Sequence, residues 1–267
     1  MSTFVPDLRF VLTGLLGGTL VGLTGMGGGA VLTPLLLALG VPAGAAVGSD
    51  LVVSLIIKPV AGSVHARART VRWDLVRWLA AASVPAAFVG ALVSQRLTAH
   101  GDVALRRAIG CSLLLAASAM VVRAVLRYRR ARRLRGAAAT APVAGGSPPV
   151  RPLPTLLLGV VGGFLVGLTS VGSGSLMVVA LLLLYPALQS QELVGTDLVQ
   201  AVPLVGAAAL GHVLLGSFSL GLTTALALGG IPGAYLGARL STRPATRIVR
   251  PALVTILLAT GTRLALA

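Results

Sequence analysis

The sequence alternates apolar runs with short polar or glycine-rich breaks, and this pattern predicts helices. The runs fall into two sets on either side of an arginine-rich stretch. Helices are predicted at 8–24, 30–40, 46–64, 75–95 and 103–126 in the first set, and at 153–169, 175–185, 192–214, 219–240 and 249–266 in the second. Apolar runs of about 18 or more residues are typical of membrane-spanning helices. The pattern therefore predicts an all-α integral membrane protein.

The second helix of each set is too short to cross a membrane. Eleven residues cover about 16 Å, whereas the hydrocarbon core is about 30 Å thick. The first two helices of each set therefore form either one span with a broken middle or a hairpin that enters the membrane and turns back. The apolar pattern alone leaves both arrangements open.

The two sets of helices are copies of one another. Residues 17–29 align with residues 162–174, and nine of these thirteen positions are identical. After a further shift of two residues the match continues, pairing Gly48-Ser49-Asp50-Leu51-Val52 with Gly195-Thr196-Asp197-Leu198-Val199, His65 with His212, Pro85 with Pro232 and Gly90 with Gly237. An internal duplication of this kind is typical of transporters. We predict two homologous transmembrane repeats, residues 1–126 and 152–267, joined by a flexible arginine-rich cytoplasmic linker, residues 127–151.

Composition and charge narrow the class of protein further. The chain is 56% hydrophobic and only 10% charged, whereas a soluble domain has about 25% charged residues. The net charge of +16 comes from clusters between the apolar runs, as the positive-inside rule expects of cytoplasmic loop ends. This placement argues against nucleic acid as a partner and places the chain in a lipid bilayer as a multi-pass protein.

The loops of the two repeats differ in charge, and this difference predicts their orientation. The loop at 65–72 is strongly basic, whereas its counterpart at 212–219 carries no formal charge. Equivalent loops of opposite charge character are expected on opposite sides of the membrane, so we predict inverted repeats, each with a glycine-broken helical hairpin followed by three transmembrane helices. The positions of Arg96, Arg106 and Arg107 count against this arrangement, because they then fall on the other side.

The two glycine-rich breaks are the first candidate for a functional site. Broken backbone is tolerated at membrane depth only where protein or a watery cavity satisfies it, and amides at a helix start can hold an anion. The alternative is that the small residues of the breaks serve only close helix packing. The break, however, recurs in both repeats at the same register. We therefore predict a substrate-binding site formed by Thr24, Gly25, Met26, Gly27, Gly28 and Gly29 in the first repeat, and by Thr169, Ser170, Val171, Gly172, Ser173, Gly174 and Ser175 in the second.

A few ionisable residues inside apolar stretches form a second group of candidates. Asp50 and Asp197 are either caps for the first free amides of a helix or, if they lie deeper, proton carriers. Lys58 either attracts an anion or compensates an acid, or else its long side chain reaches the membrane surface. His65 and His212 are expected at the membrane interface, with a proton-linked role as the alternative.

No pattern in the sequence indicates an enzyme. There is no His-Glu-x-x-His metal motif, no nucleophile elbow and too few acids for a two-carboxylate site. The single cysteine, Cys111, excludes a disulfide within the chain and a cysteine-only metal cage. We predict no cofactor and no metal, and we keep a channel-like anion pathway, a membrane-embedded enzyme and a structural subunit as alternatives to a transporter.

The motifs together resemble a known family. Residues 22–29, the Gly48-Ser49-Asp50 motif and their second-repeat copies resemble the TauE/SafE family of sulfite exporters, over the whole chain apart from the linker. The resemblance implies a bacterial inner-membrane permease, a secondary transporter that exports small sulfur-containing or organic anions such as sulfite, thiosulfate or sulfoacetate. Protons are the coupling ion it suggests, and it is compatible with a homo-oligomer.

Overall fold

The computed structural model describes residues 7–24, 28–99, 101–136, 148–240 and 246–266. Within these residues the first repeat contains α1 (Leu8–Thr24), α2 (Leu32–Ala38), α3 (Ala43–Arg67), α4 (Trp73–Ala99) and α5 (Asp102–Gly136). The second repeat contains α6 (Pro152–Thr169), α7 (Leu176–Leu184), α8 (Ser190–Leu214), α9 (Leu220–Leu240) and α10 (Thr246–Leu266). Every regular element in the described part of the chain is helical, which confirms the all-α prediction.

The lengths of these helices fit a multi-pass membrane protein. Among the described residues, five helices are long and apolar enough to span a bilayer: Trp73–Ala99, Asp102–Leu126, Pro152–Thr169, Gln191–Leu214 and Leu220–Gly237. The first bent pair would add a sixth if it counts as one span. Large apolar side chains such as Leu157, Leu214 and Leu220 remain exposed on the outside of the bundle, where lipid would cover them.

The chain turns sharply at the first glycine-rich break. The segment Gly28–Ala38, which begins with a 3₁₀ turn at Gly28–Ala30, is bent by 119° from the preceding helix Leu8–Leu23. Its helix α2 has only seven residues, and its counterpart α7 has nine. A single interrupted span would keep its direction, so this bend supports the hairpin alternative in the first repeat.

The first helix of each repeat packs on the fourth helix of the other repeat. The most extensive helix contacts join α1 to α9 and α4 to α6. A Cβ added at Gly18 of α1 would overlap the carbonyl oxygen of Gly230, and one added at the equivalent Gly163 of α6 would overlap the carbonyl oxygen of Ser83. Small residues let the backbones approach this closely. The repeats are therefore interlocked through two matching glycine-lined interfaces.

Helices in equivalent positions of the two repeats run antiparallel where they meet. A Cβ on Gly48, early in α3, would lie 3.3 Å from the Cβ of His212, late in α8. A Cβ on Gly206, nearer the middle of α8, would lie 3.6 Å from Leu55, further along α3. Helices α5 and α10 are also packed in opposite directions.

The duplication extends to the turns that follow α3 and α8. Arg69 and Gly216 occupy equivalent positions, and their φ values are 53° and 75°. Arg69 adopts this left-handed conformation although it has a Cβ, which is uncommon outside glycine and asparagine. The shared turn shows that the repeats match in backbone conformation even where their residues and charges differ.

The arginine-rich linker is more ordered at its start than the sequence predicts. Helix α5 continues from the membrane segment through the arginine run to Gly136, so the first part of the predicted linker is helical. Arginine is a good helix former, and the run contains no proline or glycine before Gly136 that would end the helix. Residues 137–147 lie outside the described residues, and the boundaries of the two repeats as domains remain a prediction.

Candidate functional site

The first break is lined by glycine because polar side chains of α3 occupy the adjacent space. Helix α1 ends at Thr24, whose side chain lies outside the described part, as do residues 25–27. Gly28 and Gly29 are buried in the 3₁₀ turn. A Cβ on Gly28 would lie 2.9 Å from both Asp50 Oδ1 and Ser54 Oγ. The missing side chain of Gly28 thus leaves room for a carboxylate and a hydroxyl.

The second break is a buried turn with three positive φ values. Ser170 follows the end of α6 at φ 60°, and Gly172 and Gly174 have φ values of 118° and 106°. The Thr169 hydroxyl donates to the carbonyl of Leu165 at 2.8 Å. Ser173 and Ser175 are also buried, and α7 begins directly after Ser175.

The structure brings the two breaks into contact, as the sequence predicts. A Cβ on Gly29 would overlap the carbonyl oxygen of Ser170, so only glycine fits at this contact. Asp50 links the same two segments: its Oδ2 accepts a hydrogen bond from Ser170 Oγ at 2.6 Å and another from Thr33 Oγ1 at 3.1 Å. Both repeats therefore contribute to one buried polar cluster.

Lys58 reaches the second break from α3. Its side chain is only 6% exposed, and its Nζ donates a hydrogen bond of 2.6 Å to Ser173 Oγ. The alternative that this side chain extends to the membrane surface is wrong, because Nζ is directed to the interior. Lys58 is the only lysine in the sequence, and it places a positive charge beside the break.

The alternative that Asp50 and Asp197 cap helices is also wrong. Helix α3 begins at Ala43 and α8 at Ser190, so both carboxylates lie about two turns inside their helices. The first turn of α8 is capped instead by Gln189 and Glu192. Asp197 Oδ1 accepts a hydrogen bond from Gln200 Nε2 at 3.4 Å, and Gln200 Oε1 accepts one from Ser83 at 3.3 Å.

Of the two histidines chosen from the sequence, His212 has a described side chain and His65 does not. His212 is fully buried near the end of α8, and its Nε2 lies 2.9 Å from the carbonyl oxygen of Gly167. Its Nδ1 is buried and has no hydrogen-bond partner among the described residues. His212 therefore faces the protein interior near the end of its helix, and its position at the membrane interface stays a prediction. The side chain of His65 lies outside the described part of the chain.

Asp50, Lys58 and Asp197 form one electrostatic cluster in the interior, whereas His212 interacts with a backbone carbonyl. Among the described residues, the buried acidic, lysine and histidine side chains are Asp50, Lys58, Asp197 and His212. The charge of Lys58 acts on Asp197 and, more weakly, on Asp50. With both carboxylates ionised and His212 neutral, the cluster carries a net charge of −1. In the part of the chain that was described, no group of His, Cys, Asp and Glu is arranged to hold a metal ion.

Comparison with known proteins identifies the family. The family model described as "Sulfite exporter TauE/SafE" matches residues 10–264. The chain belongs to the TauE/SafE family. It is also 38% identical over 267 residues to a Bacillus subtilis protein described as "Probable membrane transporter protein YjnA", and the match covers 97% of this chain and 99% of that protein. No solved structure matches the chain.

Membership of the TauE/SafE family and the similarity to a membrane transporter establish the class of this protein. It is a multi-pass membrane transporter and not an enzyme. The family resemblance drawn from the glycine motifs is thereby confirmed. The substrate, the coupling ion and the roles of individual residues are not given by these comparisons.

Sequence reasoning missed four polar residues of the site in this TauE/SafE chain. Thr33, Ser54, Ser83 and Gln200 are buried and contribute to the surroundings of the two aspartates. Ser54 lies four residues after Asp50 and Gln200 three residues after Asp197, spacings that place side chains on one helix face. That signal was available, whereas nothing along the chain links Thr33 or Ser83 to either aspartate.

Proposed function

We propose that the protein exports a small sulfur-containing or organic anion, such as sulfite, thiosulfate or sulfoacetate, and that it binds this anion where the two breaks meet. The observation that carries the proposal is the hydrogen bond between buried Lys58 and Ser173. It places a cation and a hydroxyl beside broken backbone, and such groups are typical ligands for an oxyanion.

The remaining residues of the breaks supply neutral donors in this proposal. The hydroxyls of Ser170 and Ser175 are buried near the turn. Because Gly172 and Gly174 have positive φ values, successive backbone amides of the turn do not point along one axis as they do in a helix. Backbone concavities of this kind bind anions. Thr169 contributes less, because its hydroxyl is already bonded to its own helix.

Alternating access is the proposed transport mechanism, with inverted repeats moving against each other around the anion. The antiparallel packing of α3 against α8 and the bend of 119° between α1 and the segment that contains α2 support this orientation. A net negative cluster would repel an anion, and this repulsion supports coupling to protons. We propose secondary transport that is driven by a pH gradient.

A transport assay tests the binding site. Purified protein in proteoliposomes is given radiolabelled sulfite, thiosulfate or sulfoacetate, with and without a pH gradient. We expect saturable flux of at least one anion. Ser173→Ala removes the hydroxyl that holds Lys58 and should weaken anion affinity about tenfold, equivalent to about 1.4 kcal/mol.

Ser118→Ala is the matched control, because Ser118 is exposed and bonds only the carbonyl of Leu115. It should transport like the wild type. If Ser173→Ala does so too, the anion does not bind at the second break. If none of the three anions moves through wild-type protein, the proposed substrate class is wrong.

Cysteine labelling tests the inverted orientation. Cys111 is replaced by serine, and single cysteines are introduced at the equivalent positions Arg69 and Gly216, which are exposed. A Cβ at Gly216 meets no atom within 4 Å, so the cysteine has space. We expect the two positions to react from opposite sides of the membrane. Reaction of both from the same side would contradict inversion.

A further inference from the structure

The two equivalent aspartates have different surroundings. Asp50 Oδ2 accepts hydrogen bonds from hydroxyls of both repeats, Thr33 and Ser170, but Oδ1 is buried without a hydrogen-bond partner among the described residues. Asp197 Oδ1 instead accepts a hydrogen bond from the amide of Gln200. A buried carboxylate oxygen without a donor is costly in a protein interior.

The charged groups around the two aspartates also differ. Lys58 acts on Asp197 more strongly than on Asp50, and Arg123 of α5 adds to the positive potential at Asp197. At Asp50, the hydrogen bonds from the two hydroxyls stabilise the ionised carboxylate more than the charge of Lys58 does. The hydrogen-bond partners of Asp50 are neutral hydroxyls, whereas two cations, Lys58 and Arg123, act on Asp197.

Two other titratable groups on the helices packed against α3 have partners of their own. His212 of α8 bonds the carbonyl of Gly167, and Asp102 of α5 accepts a hydrogen bond from the amide of Ala43 at the start of α3. In the described residues of α2 and the second break, the side chains that contact Asp50 are the hydroxyls of Thr33 and Ser170. Among the described residues, the direct partners of Asp50 are thus neutral, and Lys58 is the cation that acts on it.

We propose that Asp50 takes up and releases the coupling proton, whereas Asp197 stays ionised as the fixed counter-ion of Lys58. The proton binds Oδ1, the oxygen without a donor, and converts the carboxylate to a carboxylic acid. The cluster charge then changes from −1 to 0, which removes the repulsion against an arriving anion. This inference rests on the proposed transport function and assigns the coupling step to one residue.

Protonation of Asp50 would also act on the contact between the breaks. The hydrogen bond from Ser170 to a carboxylate is stronger than the same bond to a neutral acid. Taking up a proton therefore weakens the link between Asp50 in the first repeat and Ser170 in the second. The contact of Gly29 with the Ser170 backbone lies at the same place, so proton binding and movement of the breaks are physically connected.

Two isosteric variants separate the roles of the aspartates in proteoliposomes. Asp50→Asn should abolish the stimulation of flux by a pH gradient and make anion counterflow independent of pH, whatever its absolute rate. Asp197→Asn leaves Lys58 uncompensated and should reduce flux, but the flux that remains should still respond to the gradient. Gradient response that persists in Asp50→Asn and disappears in Asp197→Asn would overturn the proposal. Anion flux that is driven by a sodium gradient and not by a pH gradient would also overturn the proposal.

Infrared spectroscopy provides a readout that needs no transported anion. Acidification of the lipid-reconstituted protein should produce the carbonyl stretch of a buried protonated carboxyl group in the wild type and in Asp197→Asn, but not in Asp50→Asn. Loss of this band in Asp197→Asn alone would refute the assignment. If the band behaves as expected but no anion moves through wild-type protein, Asp50 is still the proton site, and only the proposed substrate is wrong.

Discussion

The two repeats share their helix packing but not their chemistry. Their first helices use equivalent glycines, Gly18 and Gly163, to pack on the opposite repeat, and their third helices end in the same left-handed turn. Their polar residues differ, because Lys58 has Val205 as its counterpart and Ser54 has Ala201. The duplicated helices thus keep equivalent packing contacts, whereas Lys58 and Ser54 have apolar counterparts in the second repeat.

This difference explains why one site needs both repeats. Asp50 in the first repeat accepts a hydrogen bond from Ser170 in the second, and Lys58 in the first repeat donates one to Ser173 in the second. The first repeat alone would leave Asp50 with only the bond from Thr33 and Lys58 without its bond to Ser173, at a cost of about 1–3 kcal/mol for each lost bond. These hydrogen bonds thus hold the two breaks together at the place where the proposed transport mechanism requires them to separate.

The largest effect is expected for Lys58→Met. The variant leaves Asp197 with an uncompensated buried charge and should lower the free energy of unfolding by about 3 kcal/mol, the lower end of the range for a broken buried ion pair. The lower end applies because Nζ contacts Ser173 and not the carboxylate itself. Unfolding by SDS in mixed micelles measures the change.

Double variants test which aspartate is compensated by the charge of Lys58. Combining Lys58→Met with Asp197→Asn should recover most of the lost stability, because the buried negative charge is also removed. Combining it with Asp50→Asn should recover less. Equal recovery in both double variants would show that Lys58 does not distinguish the aspartates.

The next largest effect concerns the matched interfaces. Gly18→Ala and Gly163→Ala each push a methyl group into a backbone carbonyl and should cost about 2–3 kcal/mol, the upper part of the range for overpacking, because backbone cannot rotate away. Gly206→Ala is the control, since its nearest neighbour is a flexible Leu55 methyl at 3.6 Å. We expect it to be neutral or slightly stabilising in thermal unfolding. A large difference between Gly18→Ala and Gly163→Ala would break the equivalence of the interfaces.

The helices were predictable from one sequence because their boundaries are chemically marked. Predicted and observed ends agree closely for α1 (8–24 against Leu8–Thr24) and α9 (219–240 against Leu220–Leu240), where polar or glycine-rich residues interrupt apolar runs. The meeting of the two breaks also followed from the repeat. Which face of α1 contacts α9 did not follow, because lipid-facing and protein-facing surfaces of these helices are equally apolar.

The aspartates were misjudged for a reason that the sequence contains. Val41-Pro42 precedes α3, and proline is common at the first position of a helix, so the start at Ala43 was readable and places Asp50 well inside. The partner Thr33 was not readable in this way. A threonine in a short apolar helix looks the same whether it faces lipid or a carboxylate, and only the folded arrangement of α2 against α3 decides.

A smaller effect is expected where hydrogen bonds to the two aspartates are removed. Ser170→Ala deletes the 2.6 Å bond to Asp50 and should cost about 1.5–2 kcal/mol, because bonds to charged groups are strong but Thr33 remains as a donor. Gln200→Met deletes two long hydrogen bonds, one of 3.4 Å to Asp197 and one of 3.3 Å from Ser83, and should cost less than about 1 kcal/mol because both are weak. SDS unfolding of both variants checks the order. A larger loss in Gln200→Met would mean that Asp197 depends on its amide partner more than on Lys58.

The smallest effect is expected at the basic loop, where the repeats differ in charge. Arg72 pairs with Asp74, and the hydrogen bonds that Arg72 donates to Asp74 raise the pKa of Arg72 above its usual value, whereas the equivalent residues of the second repeat are Ser219 and Gly221. Asp74→Asn should cost less than about 1 kcal/mol, because the carboxylate is 43% exposed and water and salt screen it. The cost should disappear in high salt.

The orientation of the protein should not change in Asp74→Asn, because the substitution makes the loop more positive and the positive-inside rule depends on arginine and lysine. Labelling of a cysteine at Arg69 in the Asp74→Asn background measures this. Arg72 also donates from its amide to Thr196 at 3.0 Å and from its guanidinium to the carbonyl of Pro148 at 3.2 Å, so the loop keeps its contacts with the second repeat. If Asp74→Asn costs more than about 1 kcal/mol and the loss persists in salt, the ion pair positions Arg72 for these contacts and the charge difference between the loops also serves packing.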